Sequence, residues 1–100
     1  MSSMQVKLYA SLRQAAGIKM MDVEVHEGTT IYDVLLELTE RYPVLGKLIW
    51  KDPGELAEYV HVFVNGENIH RLVGLDTPLK SEDHVDIFPP LVGGYTSLSK

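Results

Sequence analysis

The residues best able to do chemistry in this 100-residue chain lie near its C-terminal end, in the run Phe88-Pro89-Pro90-Leu91-Val92-Gly93-Gly94. Extended backbone advances about 3.3 Å per residue, so residues 89–94 can reach on the order of 20 Å from the element they leave. The prolines stiffen the base of such an arm and reduce the entropy lost when a partner captures it. Glycine has no Cβ, so Gly93 and Gly94 permit close backbone approach in a narrow channel. The arm is therefore suited to deliver a main-chain carboxylate to another protein's active site. Spacing alone supports equally a second reading, in which Gly93-Gly94 is a loose joint before a frayed terminus. Residues 95–100, beginning with Tyr95, follow the glycines.

The other side chains offer little chemistry. His26, His61, His70 and His84 lie in separate segments without metal-ligand spacing, and His26, His61 and His84 fall on the polar side of strand patterns. Glu82, Asp83 and Asp86 are close in sequence, but two of them sit in a turn, where solvated carboxylates are expected rather than an acid–base pair. Ser11, Ser81, Ser97 and Ser99 have no adjacent histidine, and no Gly-x-Ser-x-Gly elbow is present. Gly17, Gly28, Gly46, Gly54, Gly66 and Gly74 are isolated, with no phosphate-cradling run. The absence of cysteine removes disulfides, thiolate metal sites and a catalytic thiol. No catalytic side chain of the chain's own is expected, nor any bound cofactor or metal.

Composition narrows the partners. An apolar fraction of 45% and a charged fraction of 23% are those of an ordinary globular domain. No apolar run approaches the roughly 20 residues needed to cross a bilayer, and the N-terminus lacks a signal pattern, so a soluble, cytoplasmic protein without membrane contact is expected. Nine basic residues are scattered along a chain of net charge −5. Nucleic acid would be repelled, and a basic protein surface suits the chain better.

A strand, a strand, a helix and three further strands must position the arm. Residues 5–9 alternate, with Val6 and Leu8 facing one way and Gln5, Lys7 and Tyr9 the other. Residues 11–17 read as a short helical turn ended by Gly17. Met21, Val23 and Val25 share a face of the second strand, and the short link predicts an antiparallel hairpin. Thr30 is a good N-cap, and Asp33 completes a capping-box signature. Ile31, Val34, Leu35, Leu38 and Tyr42 then form one apolar helical stripe, which Pro43 stops near Arg41. Leu45, Leu48, Ile49 and Trp50 predict a helical turn packed under the sheet, with a loop over residues 51–54. Val60, Val62 and Val64 alternate in a third strand. Asn65-Gly66 signals a tight turn, with a short strand over residues 68–70 beyond it. Residues 77–83 read as turns. Val85, Ile87 and Phe88 form the last strand, which Pro89-Pro90 must terminate because neither proline can donate to a ladder. The class is α+β, with one main helix covering one face of a mixed sheet of about four or five strands.

Together, "VKLYASLRQAAG", the helix in "GTTIYDVLLELTERYP", "VNGENI" and "GLDTPLKSEDHVDIFPPLVGG" resemble the MoaD/ThiS group of ubiquitin-like sulfur carriers. The resemblance implies a β-grasp domain over residues 1–94, its arm at 89–94, and an extension at 95–100. It further implies that a glycine carboxylate is adenylated with ATP by an E1-like enzyme of the MoeB/ThiF type and then converted to a thiocarboxylate. Carried across, Gly94 would bear the adenylate and then the sulfur. Gly93, with Phe88, Pro89, Pro90, Leu91 and Val92, would fit the partner's channel. "GLDTPL" and "IFPPLVGG" look more like MoaD, the small subunit of molybdopterin synthase. That implies a second partner, a large subunit of the MoaE type, and a role as carrier subunit of a molybdopterin synthase-like sulfurtransferase. Archaeal relatives are also joined to lysines through the same glycine, which makes a protein modifier the alternative. A third reading is a non-catalytic interaction domain with Tyr95 and Leu98 packed on the sheet. The sequence departs from the pattern at one bond. Gly94 is joined to Tyr95 by an amide, which cannot be adenylated as a carboxylate can. A processing protease that removes residues 95–100 would supply the missing end.

Overall fold

The alternation at the start of the chain becomes β1 (Ser2–Leu8), which buries Met4, Val6 and Leu8 and exposes Ser3, Gln5 and Lys7. In this computed structural model residues 2–89 are described. Pro90, Leu91, Val92, Gly93 and Gly94 lie outside the described residues, as does the extension at 95–100 with Tyr95 and Leu98. A short helix, α1 (Ala10–Ala16), buries Leu12 and turns the chain back into β2 (Met20–Val25). The two strands pair antiparallel as expected, Val6 opposite Met21 and Met4 opposite Val23.

The capping box at Thr30 forms as the sequence predicts. The Thr30 hydroxyl oxygen accepts from the Asp33 amide at 3.3 Å, and an Asp33 carboxylate oxygen accepts from the Thr30 amide at 3.0 Å. It opens α2 (Ile31–Arg41), whose Ile31, Val34, Leu35 and Leu38 are buried. At Tyr42 the backbone leaves helical geometry (φ −128°, ψ 82°), as the residue before proline prefers. Pro43 does more than end α2, because its fixed φ and missing N–H suit the first position of α3 (Pro43–Ile49). Leu45 and Ile49, four residues apart, face the core. The expectation that Leu48 packs under the sheet is wrong: it lies about 100° around the helix from Ile49 and is exposed.

Two more elements differ from the sequence reading. The loop expected over residues 51–54 is a hairpin, β3 (Trp50–Asp52) with β4 (Glu55–Leu56), forming a separate two-stranded sheet. Its turn uses Gly54 at φ +79°, a conformation that costs glycine little. The Trp50 indole N–H donates to the Thr39 hydroxyl (3.2 Å), and the ring meets Tyr32 edge-on, which ties the hairpin to α2. The strand expected over residues 68–70 shrinks to β6 (Glu67–Asn68). There the Asn68 side chain accepts from the His70 amide at 2.9 Å and starts a 3₁₀ turn (Ile69–Arg71) that buries Ile69. A second 3₁₀ turn (Gly74–Asp76) follows.

The main sheet has the order β2-β1-β7-β5-β6, where β5 is His61–Val64 and β7 is His84–Phe88. β1 and β7 run parallel at its centre, and the other pairs are antiparallel. The turn between β5 and β6 places Asn65 and Gly66 both at positive φ (53° and 87°), as an Asn-Gly hairpin requires. The inward side chains of β1, β2, β5 and β7 join those of all three helices in one apolar core. Two hydrogen bonds fix the start of α2 to the segment leading to β7, Ile31 N to Thr77 O (3.0 Å) and Leu79 N to Thr29 O (2.9 Å). Thr77 is buried and satisfied, donating to the Gly74 carbonyl and accepting from the Val73 amide. Among the described residues no helix is long and apolar enough to cross a membrane.

Candidate functional site

The arm leaves the sheet from the end of β7, a central strand flanked by β1 and β5. Strand register sets what surrounds that point, because side chains of one face line up across neighbouring strands. On the face turned away from the core, Gln5 stands opposite His84, and Lys7 opposite Asp86. Asp86 in turn faces Phe63, and Phe88 faces His61. Tyr9 lies one residue past β1 and stacks on Phe88, ring centroids 4.2 Å apart and planes 12° apart. Phe63 meets the same Phe88 ring edge-on, at 5.5 Å and 86°. Three aromatic rings thus form a platform at the root of the arm. Beside it a cleft of about 500 Å³ is lined by His61, Phe63, Gly66, Asn68, Asp86 and Phe88.

Tyr9 fixes this corner through several contacts. Its hydroxyl donates to Asp86 Oδ1 at 3.0 Å, and its amide donates to the Ile87 carbonyl at 3.2 Å. Partial burial raises the phenol pKa above its usual 10.0. The hydrogen bond to Asp86 and that carboxylate's charge push it the same way, and Arg13 opposes them. The next residue, Ala10, sits at φ +52°. For a residue with a Cβ this left-handed geometry costs roughly 1–2 kcal/mol, and it is held by the Tyr9 contacts on one side and α1 on the other.

Of the arm residues expected at the site, Phe88 is half-buried in the platform and Pro89 is buried at its edge. The other five, Pro90 to Gly94, lie outside the described residues. The acidic trio is divided between different tasks. Asp83 accepts from the Lys80 amide and the Asn65 side chain, both at 2.8 Å, whereas Asp86 holds Tyr9. Among the described residues no group of three or more His, Asp or Glu side chains is placed to hold a metal ion. Sequence reasoning missed Tyr9 and Phe63 as site residues. The signal was present, since both are large aromatics on the outward side of an alternating strand.

Residues 6–94 match the family model described as the ThiS family. The chain belongs to the ThiS family. Small archaeal modifier protein 3 of Haloferax volcanii is 35% identical over 92 residues, which cover 91% of this ThiS-family chain and 98% of that protein. The solution structure of small archaeal modifier protein 1 from Methanosarcina acetivorans superposes with a TM-score of 0.81 at 39% identity, covering 94% and 98% of the two chains. A Pyrococcus furiosus structure named as a candidate subunit 1 of molybdopterin converting factor gives a TM-score of 0.71 at 29% identity, covering 90% and 99%. The fold is the ubiquitin-like β-grasp implied by the resemblance, a mixed sheet clasping a main helix. As a ThiS-family member the chain stands among ubiquitin-like sulfur carriers and modifiers.

Proposed function

We propose that this protein is a precursor whose Gly94, once freed by removal of residues 95–100, carries sulfur as a thiocarboxylate. The observation that carries the reading is where the family match ends: residue 94, the second glycine, with Tyr95 just beyond it. In this reading a protease hydrolyses the Gly94–Tyr95 amide. The new carboxylate attacks ATP held by an E1-like enzyme of the MoeB/ThiF type and releases pyrophosphate, giving an acyl-adenylate. A sulfur donor then displaces AMP. Gly93 and the arm Pro89, Pro90, Leu91 and Val92 thread the partner's channel, while Phe88, Tyr9 and Phe63 present an apolar surface to its mouth. Aromatic rings suit that position because they bury much area with few rotamers to freeze.

For the destination of the sulfur we propose molybdopterin synthesis, with a large subunit of the MoaE type. The likeness to the Pyrococcus furiosus protein and the MoaD-like "IFPPLVGG" support it. A second reading has its own support, because relatives 35% and 33% identical over most of the chain are named as modifiers. In it the same activated Gly94 is attacked by a lysine amine and forms an isopeptide bond.

ATP–pyrophosphate exchange tests the shared step. With a MoeB/ThiF-type enzyme from the same cells, chain ending at Gly94 is expected to support exchange, and full-length chain to give only background. Equal exchange with both forms, or none with either, contradicts the proposal. Lysine-linked Gly94 adducts in the absence of any thiocarboxylate would favour the second reading.

A further inference from the structure

Three basic residues, six positions apart along the chain, meet beside the arm's root. Lys7 comes from β1, Arg13 from α1, and Lys19 from the link into β2. Together with Leu8, Tyr9 and Met20 they line a hollow of about 350 Å³. The β1–β2 register places Met20 opposite Lys7, and the Leu8 amide donates to the Lys19 carbonyl at 2.9 Å, so the backbone fixes their proximity. Elsewhere ion pairs join Arg41 to Glu37 and Arg71 to Glu67. Among the described residues none involves Lys7, Arg13 or Lys19. All three are exposed.

We propose that this hollow docks an acidic segment of the protein that receives the arm. It rests on the reading that a partner captures the arm, and it adds the chemistry of that partner's contact surface. Charge gives the first argument. The chain carries fourteen acidic and nine basic residues, so an acidic partner is repelled by most of its surface. Three unpaired cations at one corner then select a single orientation for docking, a steering effect that charge complementarity supplies more readily than raw affinity. Continuity is the second argument. The Tyr9 side chain belongs both to the hollow and to the aromatic platform, so a segment seated on the cations lies alongside Phe88, where the arm begins. Shape is the third. Met20 is 40% exposed at the rim, and the Tyr9 ring forms a wall, which suits a peptide with an apolar side chain between carboxylates better than a bare anion.

The test uses full-length, ¹⁵N-labelled protein titrated with a hexaglutamate peptide at low salt. Amide shifts are expected at Lys7, Tyr9, Arg13, Lys19 and Met20. The K7E/R13E/K19E variant should bind roughly tenfold more weakly, the scale of three exposed ion pairs. The K47E/K51E/K80E variant, with the same change in net charge at other exposed lysines, should lose much less affinity, only what the shared long-range repulsion costs at low salt. A K7Q/R13Q/K19Q variant guards against misfolding caused by reversed charge and should also weaken binding. Shifts spread over the whole surface, or an affinity equally reduced by both charge-reversal variants, would overturn the proposal. So would a hollow that responds to inorganic phosphate or ATP and not to the peptide. The titration does not require a freed Gly94. Failure of Gly94 activation would therefore count against the carrier reading and leave this result standing.

Discussion

Tyr9 lies just beyond β1, where its ring and its hydroxyl hold different neighbours. The ring stacks on Phe88 and the hydroxyl binds Asp86, so one side chain fixes both the root of the arm and the carboxylate next to it. The raised phenol pKa sets a pH dependence. The folded protein keeps the proton at pH values where the unfolded chain has lost it. The stabilisation is therefore complete below about pH 10 and is lost as pH rises through the folded-state value. Tyr9→Phe keeps the stack and removes the hydroxyl. Urea unfolding should show about 1 kcal/mol lost at neutral pH, the scale of one hydrogen bond, and a shallower decline above pH 10 than in the wild type. An unchanged alkaline decline would show that the Tyr9–Asp86 pair does not control it. At this scale the sequence exposed the glycines and prolines of the arm by type alone. It did not expose the Tyr9–Asp86 bond, whose partners are 77 positions apart.

Local signals marked those elements whose hydrogen bonds close within a few residues. The α2 cap joins residues three apart, and its apolar stripe repeats every three or four, so both were legible. Thr30→Ala should cost about 1 kcal/mol. In calorimetry that appears as a fall in Tm of roughly 4–8 °C for a domain of this size, and a fall of less than a degree would show the cap to be dispensable. The β3–β4 hairpin was not legible. Its strands are three and two residues long, with no room for an alternating pattern, and tertiary contacts from Trp50 to Thr39 and Tyr32 hold it. Likewise the end of β6 depends on a side-chain hydrogen bond from Asn68, which an alternating pattern does not report. Pro43 could be read correctly as a stop and still be missed as a start, because the same fixed φ serves both.

At the scale of the molecule, the β-grasp places the end of a central strand, β7, beside two distinct surfaces. One is the aromatic platform and the other the cationic hollow, and they share Tyr9. Lys7, Arg13 and Lys19 converge because the consecutive β1, α1 and link into β2 fold back on one another. Net charge alone predicted a basic partner surface, and the hollow assigns an acidic contact to one corner of an otherwise acidic molecule. In the proposed carrier function, Gly94 acts only once its bond to Tyr95 is broken. The direct test is the intact mass of the protein isolated from its own cells while the sulfur acceptor is being made. The predicted result is a chain ending at Gly94, a fraction of it heavier by the replacement of one oxygen with sulfur. Recovery of only the full-length chain ending at Lys100 would contradict the carrier function.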